Sequence, residues 1–332
     1  MAIKNINCIT ILLAVYTVVV AAKLQRFDHL PSKMDGSIDI LVIGDWGRKG
    51  LYNQSDVAFQ MGKVGEILDA DFIISTGDNF YEDGLIDEED PLFVESFTDI
   101  YTASSLQKQW YAVLGNHDYR GNVLAQLSPA LTQRDSKWLC LRSFIVNSGI
   151  VEFFFVDTTP FQDKYFTEEE HTYDWRGVLP REDYLSNVLK EVDMALKESS
   201  AKWKIVIGHH TIFSAGSHGN TQELVDQLLP ILESKQVAIT VLLSFLHSSS
   251  FSYFMVMTFM CSQLQFLTSG GGSKAWRGEI NDWDSNEMKF YYDGQGFMTL
   301  GIAENEVNVA FYDVVGKILH TWSTSKYTHM DS

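Results

Sequence analysis

The chain has 332 residues, of which 45% are hydrophobic and 13% aromatic. A chain of this size and composition can bury a large core as one big domain or two small ones, which excludes a disordered protein. Its 43 acidic residues outnumber 25 basic ones and give a formal net charge of -18, so it lacks the positive surface that a nucleic acid partner requires. A small phosphorylated substrate is still compatible with this charge, because a bound metal ion can dominate the local field.

The amino terminus has the pattern of a secretory signal. Lys4 stands in a short polar start, and an apolar run from Cys8 to Val20 leads to Ala22. This run is short for a membrane span, so we expect cleavage near Ala22 rather than anchoring. Residues 1–22 are therefore predicted to be a signal peptide and residues 23–332 a single domain. The expected destination is outside the cell, the cell wall, or a vacuolar or lysosomal lumen.

Secretion would make two other features of the sequence relevant. Cys140 and Cys261 would meet an oxidising compartment, where they could form one disulfide or stay unpaired. The triplet that begins at Asn53 is the only N-glycosylation sequon of the chain, and it becomes usable in the secretory pathway. Asn53 is therefore a candidate site for an N-glycan. The sequence is compatible with both a monomer and a dimer.

The first elements predict two carboxylates at one sheet edge. Ser37 to Ile43 reads as a strand, Gln54 to Leu68 has helical periodicity, and Asp71 to Thr76 reads as a second strand. A strand, helix, strand order implies a right-handed crossover and a parallel pair, which places Asp45 and Asp78 together. Two carboxylates on one edge indicate a metal site, or else a costly like-charge pair.

The second strand leads into Gly77-Asp78-Asn79-Phe80-Tyr81. Asp78 and Tyr81 lie three residues apart on the predicted loop, so a carboxylate and a phenolate could converge on one hard cation. The alternative is an Asx-type turn followed by a packing tyrosine. The later strand ends decide between these two interpretations.

Two further predicted strands also end in glycine and polar residues. The first of them, Trp110 to Leu114, is followed by Gly115 and then by polar residues that could bind a metal or act as a base. The second, Trp203 to Ile207, is followed by Gly208 and a similar polar group. The polar side chains at these two ends are Asn116, His117, His209, His210 and, shortly after, His218. Each alone could be a turn or a strand cap, but recurrence at four strand ends favours a functional site.

These blocks resemble the first four motif blocks of the purple acid phosphatases, in particular their small plant-type or tartrate-resistant-type branch. The matching stretches are Gly44-Asp45-Trp46-Gly47, Gly77-Asp78-Asn79-Phe80-Tyr81, Gly115-Asn116-His117-Asp118 and Val206-Ile207-Gly208-His209. The likeness runs from about Ile38 to Glu233 and resumes from about Gln265 to Trp322. Tyr81, three residues after Asp78, is the feature that separates this family from other metallophosphoesterases.

The resemblance implies a binuclear metal centre. Asp45 and Tyr81 would bind a ferric ion, and Asp78 would bridge it to a divalent ion. Asn116 and His209 would complete part of the divalent site, which holds zinc, manganese or iron in the family. Oxygen ligands beside imidazole are compatible with all three.

The resemblance also implies the reaction and two catalytic residues. His117 and His218 would orient the phosphate and help to protonate the leaving alcohol, whereas His210 is expected to be structural. Two bound cations would clamp the phosphoryl group and acidify a water molecule. The implied function is hydrolysis of small phosphate monoesters at acidic pH.

The implied fold is an α/β, two-sheet sandwich flanked by helices, in the α/β/β/α order of metallophosphoesterases. The strand and helix alternation of the first two-thirds agrees with it. Arg181 to Glu198 carries a stripe of apolar residues at helical spacing and is predicted to be one of its helices. Further on, Phe297 to Ile302, Glu306 to Asp313 and Ile318 to Trp322 alternate in polarity and are separated by turn residues. The carboxy-terminal part is therefore predicted to be mostly antiparallel β.

One block of the family pattern is missing from this chain. The family has a Gly-His-x-His after the next strand, with one histidine for each metal. In this chain the corresponding stretch from Val237 to His247 has a single histidine, His247, and no Gly-His-x-His. No charged residue occurs from Gln236 to Ser273, and we interpret the atypical segment, about residues 237–264, as an altered transcript or gene-model error. His247 could replace one lost ligand or be incidental.

The missing block leaves two alternatives open. The first is functional: the chain could be an inactive derivative that at most binds phosphate or a partner, because the loss of a ligand from each metal weakens both sites. The second is structural: Val237 to Cys261 is long enough and uncharged enough for a membrane helix. Its serines dilute its apolar character and a sheet resumes after it, so membrane insertion is not the expectation.

Overall fold

The structure is a computed structural model that describes residues 23–214, 219–235, 237, 239–243, 254–258, 264–275 and 288–326. The predicted signal peptide, His218, His247 and Cys261 lie outside the described residues. The same is true of most of the atypical segment. The predictions that fall on them stay predictions.

Strands and helices alternate through the first two-thirds of the described chain. The strands are β1 (Gln25–Asp28), β2 (Ile38–Ile43), β3 (Phe72–Ser75), β4 (Trp110–Ala112), β5 (Trp138–Cys140), β6 (Phe144–Asn147), β7 (Val151–Phe155), β8 (Trp203–His210), β9 (Ile239–Leu243), β10 (Phe254–Thr258), β11 (Gln265–Ser269), β12 (Met288–Tyr292), β13 (Gly296–Ile302), β14 (Glu306–Asp313) and β15 (Ile318–Ser325). The α-helices are α1 (Gln54–Leu68), α2 (Pro91–Phe93), α3 (Asn116–Arg120), α4 (Val123–Gln126), α5 (Pro129–Arg134), α6 (Lys164–Thr167), α7 (Arg181–Glu198), α8 (Gln222–Gln227) and α9 (Leu229–Ser234). Short π and 3-10 turns occur at Val94–Thr98, Ser104–Leu106 and Thr159–Phe161.

The strands form two mixed sheets. The first sheet has the order β1-β6-β7-β8-β9-β11-β10-β12, and the second has the order β15-β14-β13-β2-β3-β4-β5. In the second sheet, β2, β3, β4 and β5 are parallel, whereas β13 pairs antiparallel with β2. Helices lie against the outer faces, so the predicted two-sheet α/β sandwich is confirmed.

The side chains of β2 alternate between two hydrophobic clusters, one on each face of the sheet. Ile40 and Val42 point between the sheets, where they pack in one cluster with Phe153 of β7. Leu41 and Ile43 point to the other side and pack in the cluster that contains residues of α1. Both faces are buried, which is why the strand reads as a continuous apolar run instead of an alternating one.

Two predicted helices occur at their predicted bounds. α1 runs from Gln54 to Leu68 and α7 from Arg181 to Glu198. Val188, Val192 and Leu196 of α7 are buried in the cluster on the outer face of the first sheet. A stripe of apolar residues at helical spacing therefore predicted both the element and the face that it buries.

One predicted strand end needs correction. β8 continues through His209 and His210, so these histidines lie within the strand and not after it. Asn116 and His117, which follow a predicted strand, form the start of the short helix α3. The predicted carboxy-terminal antiparallel part is confirmed, because β13, β14 and β15 are antiparallel neighbours.

The atypical segment contributes strands to the first sheet. β9 pairs parallel with both β8 and β11, and β10 pairs antiparallel with β11. The membrane-helix alternative is therefore wrong for the described parts of the segment. Across the described ranges as a whole, no helix combines the length and the apolar character needed to cross a membrane.

Cys140 is buried at the end of β5 and has no disulfide partner among the described residues. Burial raises the pKa of this thiol well above its usual value. Because Cys261 lies outside the described residues, the disulfide between the two remains a prediction.

Candidate metal centre

Three strands deliver the central residues of the site to one edge of the sandwich. Asp45 follows β2, Asp78 follows β3, and His209 lies near the end of β8. Parallel pairing of β2 with β3 places the two carboxylates side by side, as the strand, helix, strand order predicted. The backbone N–H of Asp45 also donates to the carbonyl of Gly77 at 3.1 Å, which ties the two loops together.

Both carboxylates stand on strained backbone. Asp45 has φ 59° and Asp78 has φ 50°, the left-handed region that residues with a Cβ seldom adopt. Such strain persists only where surrounding contacts enforce it, and it concentrates at functional sites. The Ser273 hydroxyl, which donates to the carbonyl of Asp45 at 2.6 Å, is one contact that holds the first loop.

Asp45, Asp78 and His209 form a buried cluster whose potential ligand atoms all lie within 4.8 Å of one another. Both carboxylate oxygens of Asp45 are buried and have no hydrogen-bond partner in the described part of the chain. Burial and then the charge of Asp78 raise the pKa of Asp45 well above its usual value. Burial likewise raises the pKa of Asp78 to about 7, because an ionised carboxylate is costly to bury without a charge partner.

The hydrogen bonds of His209 assign its tautomer. Its Nδ1 lies 3.1 Å from the carbonyl oxygen of Thr76, and a carbonyl only accepts, so Nδ1 carries the proton. Nε2 then presents a lone pair to Asp78 Oδ1 at 3.3 Å and to Asn116 Oδ1 at 3.3 Å. Burial lowers the pKa of His209 to about 4, which disfavours a second proton. Nε2 of His209 is therefore offered as an acceptor beside these two oxygens.

Tyr81 reaches the same cluster. Its hydroxyl donates to Asp78 Oδ2 at 2.9 Å, and the ring is almost fully buried. Burial, followed by the charges of Asp45 and Asp78, raises the pKa of this hydroxyl well above its usual value. The predicted proximity of carboxylate and phenol is therefore present, and the Asx-turn alternative does not account for it.

Asn116 and His117 enter from α3. Besides the contact of Asn116 with His209, its Nδ2 is buried without a hydrogen-bond partner among the described residues. The backbone N–H of His117 donates to Asp78 Oδ1 at 2.9 Å, and its Nε2 lies 3.9 Å from Asp78 Oδ2. Its Nδ1 hydrogen-bonds the carbonyl of Glu82. Burial, and then Arg120, lower the pKa of His117 well below its usual value.

Glycines that lead two of the blocks leave room for the site. A Cβ on Gly77 would lie 2.7 Å from His209 Nδ1, and a Cβ on Gly115 would lie 2.2 Å from Asp78 Oδ1. Gly77 also has φ 106°, which only glycine adopts readily. The glycines are therefore required by close approach to the proposed ligands.

Two supporting residues were not predicted. Asp118 accepts hydrogen bonds from the backbone N–H groups of Gly115 at 2.8 Å and Asn79 at 3.0 Å, and so joins two loops of the site. Its place three residues after Gly115, where a helix N-terminus needs acceptors, was the available signal. Thr158 Oγ1 accepts from the backbone N–H of His209 at 3.1 Å, and no sequence pattern indicated it.

His210 points away from the cluster. Its Nδ1 lies 3.1 Å from Thr158 Oγ1 and its Nε2 lies 2.9 Å from the hydroxyl of Tyr165. Both ring nitrogens are thus engaged in the core, as expected for a structural histidine. His218 lies outside the described residues, so its proposed proximity to the site stays a prediction.

The donor set fits the chemistry of a metal site of the implied kind. The described side chains that converge offer two carboxylates, a phenol, an amide oxygen and an imidazole, which is a hard oxygen-rich set with one borderline nitrogen. The unpartnered oxygens of Asp45 and the opposed lone pairs around His209 are the features that a cation would satisfy. The residues that could hold a metal are Asp45, Asp78, Tyr81, Asn116 and His209.

The fold and the position of this cluster define a phosphoesterase. A family model described as calcineurin-like phosphoesterase matches residues 38–242, from the first residue of β2 into β9. Purple acid phosphatase 3 of Arabidopsis thaliana is 60% identical over 303 residues, which cover 91% of this chain and 81% of that protein. The chain belongs to the calcineurin-like phosphoesterases, in their purple acid phosphatase branch of hydrolases.

More distant proteins agree with the family and the fold. Tartrate-resistant acid phosphatase type 5 of Homo sapiens is 29% identical over 322 residues, covering 87% of this chain and 92% of that protein. Among solved structures, GAP50, described as the anchor in the inner membrane complex of Plasmodium, superimposes with a TM-score of 0.69 at 20% identity, covering 89% of this chain and 90% of that one. That likeness bears on the fold alone.

Proposed function

We propose that this protein is an acid phosphatase that hydrolyses small phosphate monoesters at a binuclear centre of ferric iron and a divalent zinc, manganese or iron ion. Asp45 and Tyr81 would hold the ferric ion, Asp78 would bridge, and Asn116 and His209 would hold the divalent ion. The observation that carries the proposal is the buried cluster of Asp45, Asp78 and His209, in which both Asp45 oxygens have no hydrogen-bond partner among the described residues. Buried carboxylates are normally paired or bound to a metal ion, so such a cluster favours a cation site.

The protein's own residues would prepare the site for a phosphate. When bound, the two ions would polarise the phosphoryl oxygens and lower the pKa of a water molecule. The carbonyl of Thr76 fixes the His209 ring through Nδ1, so that Nε2 is the nitrogen offered to the site. Likewise, the carbonyl of Glu82 fixes His117 through Nδ1 and leaves Nε2 facing the site. From there His117, together with His218, would orient the substrate and move a proton to the leaving alcohol.

The direct test measures metal and turnover on the same preparation. Purified protein should contain iron and a second metal, show a visible absorption band from Tyr81 bound to iron, and hydrolyse p-nitrophenyl phosphate at acidic pH. Asp45→Asn should remove both the metal and the turnover. Asp157→Asn is a matched control, because Asp157 is also a buried carboxylate, but its Oδ2 accepts hydrogen bonds from Tyr184 at 2.9 Å and from Tyr119, away from the proposed ligands. It should change stability and leave the metal content intact.

A second candidate function rests on the missing histidine block. Without Gly-His-x-His, the chain could be an inactive derivative, because even outer-shell changes at metal sites cost about 10- to 100-fold in affinity or activity. The sequence Ser244-Phe245-Leu246-His247 directly follows β9, and Ser244→Gly with Phe245→His recreates the family spacing. If the parent chain is colourless and inactive and this double variant gains metal and turnover, the parent chain is an inactive derivative. An unchanged, already active enzyme supports the phosphatase.

We also propose that the protein is secreted and glycosylated at Asn53. Asn53 is exposed at the start of α1, so an acceptor there is accessible. Expression in a eukaryotic secretory host should give a product that starts near Lys23 and loses mass on treatment with an N-glycosidase, whereas Asn53→Gln should not. Intracellular retention with an intact amino terminus would contradict secretion.

A further inference from the structure

Arg48 is a buried cation next to the site for which the proposed chemistry has no use. Only 4% of its side chain is exposed. Its guanidinium carbon lies 3.7 Å from the centre of the Tyr81 ring, which is close for a cation over an aromatic face. The guanidinium also forms an ion pair with Glu82, whose side chain is 58% exposed. Arg48 therefore contacts the ring of a proposed iron ligand.

We propose that Arg48 is a positioning residue that sets the electron density of the Tyr81 ring and thereby tunes the visible absorption of the iron-loaded protein. The inference rests on the proposed function, since it requires iron on the Tyr81 oxygen. It assigns Arg48 no contact with substrate.

The direction of the effect follows from where the charge sits. The visible band of an iron phenolate moves an electron from the ring to the metal, so the ring becomes less negative on excitation. A cation over the ring stabilises the negative ground state more than the excited state and raises the transition energy. Glu82 opposes this field, but its exposure lets solvent screen it, so the effect of the buried Arg48 dominates.

The backbone around Tyr81 does not depend on the Arg48 side chain. The N–H of Tyr81 donates to the carbonyl of Gly47 at 2.9 Å, and the N–H of Arg48 donates to Gln54 Oε1 at 2.9 Å. These hydrogen bonds use backbone groups that a substitution of the side chain retains. Replacing the guanidinium should therefore change the field at the ring and leave Tyr81 in place.

The experiment compares absorption maxima of iron-loaded full-length variants at one pH. Arg48→Met should shift the band to longer wavelength, and Arg48→Lys, which keeps a less ideally placed charge, should lie between Met and the parent. Glu82→Gln removes the opposing charge and should shift the band to shorter wavelength. Lys137→Met is the matched control, because Lys137 also stands over an aromatic ring, 4.7 Å from the centre of Phe97, away from the site. It should leave the band unmoved.

If the absorption maxima of Arg48→Met and Glu82→Gln shift in opposite directions, the electrostatic effect of Arg48 on the Tyr81 ring is supported. A loosened loop would shift both maxima in the same direction. A coloured Arg48→Met protein with the parental maximum overturns the role of Arg48 and leaves the proposed function standing. If Arg48→Met fails to fold, a parental maximum in both Arg48→Lys and Glu82→Gln overturns the role equally. A parent protein that stays colourless with iron present overturns both the proposed function and this inference.

Discussion

Replacing Asp45 by Asn should stabilise the metal-free protein while it weakens the metal-loaded one. Asp45 is buried beside Asp78, with the possible ligand atoms of the two within 4.8 Å. At an effective dielectric constant of about 20, two ionised carboxylates at that distance repel each other by about 3 kcal/mol. Both Asp45 oxygens lack hydrogen-bond partners in the described part of the chain, so the substitution sacrifices few contacts.

The pH dependence of this gain gives a second check. Burial raises the pKa of both carboxyl groups, and the charge of Asp78 raises that of Asp45 further. Below the raised pKa values the parent holds protons in the cluster and the repulsion is relieved. The advantage of Asp45→Asn should therefore be largest near pH 8 and should shrink towards pH 5. With metal present the sign reverses, because a lost ligand lowers metal affinity and with it the stabilisation that binding provides.

The assay is urea unfolding of Asp45→Asn and the parent, each with chelator and with iron plus zinc, at pH 5 and pH 8. Asp157→Asn serves as the control, because Arg142 lies 3.4 Å from Asp157 and would lose its counter-charge. That variant should be destabilised whether or not metal is present. If Asp45→Asn destabilises the metal-free protein at pH 8 as much as the metal-loaded one, the carboxylate repulsion is not a feature of this site.

Three further predictions follow from the same geometry. The metal-free protein should lose stability as the pH rises from about 4 to 7 and level off above that in urea unfolding, because the folded-state pKa of Asp78 and of Asp118 is raised to about 7 while unfolded carboxyls ionise near 4; stability that rises over this range would contradict it. Gly115→Ala places a Cβ 2.2 Å from Asp78 Oδ1 and should lower metal content in elemental analysis, whereas Gly149→Ala, which meets nothing within 4 Å, is the steric control. Asp118→Ala leaves buried N–H groups unpaired and should cost at least about 3 kcal/mol in unfolding free energy, and Asp118→Asn, which keeps an acceptor, should cost less.

The sequence was sufficient for elements whose pattern is local. α1 and α7 carry apolar stripes at helical spacing, and β2 and β3 end in glycine and carboxylates that mark a sheet edge. Because parallel strands share their ends, these local patterns also predicted that Asp45 and Asp78 meet. Juxtaposition of the proposed ligands thus followed from topology before any side chain was placed.

Other features depend on contacts that no local pattern carries. Thr158, which lies 51 residues before His209 in the chain, accepts a hydrogen bond from the backbone N–H of His209. A threonine after a strand is common in turns and caps, so its presence alone does not indicate this contact. The extension of β8 through His209 could not be predicted either, because glycine and two histidines are weak strand formers. Pairing with β9, in which His210 lies opposite Leu243, overrides that preference.

The uncharged segment shows that this chain can complete its fold independently of whether its metal site can bind metal. β9 fills the position between β8 and β11, and its backbone hydrogen bonds need only an extended, apolar strand, which Ile239 to Leu243 supplies. Since Leu243 pairs with His210, β9 ends next to His209. A strand can therefore complete the sheet whether or not the residues that follow it supply metal ligands. Folding of this chain is consequently no test of its metal content, and the two must be measured separately.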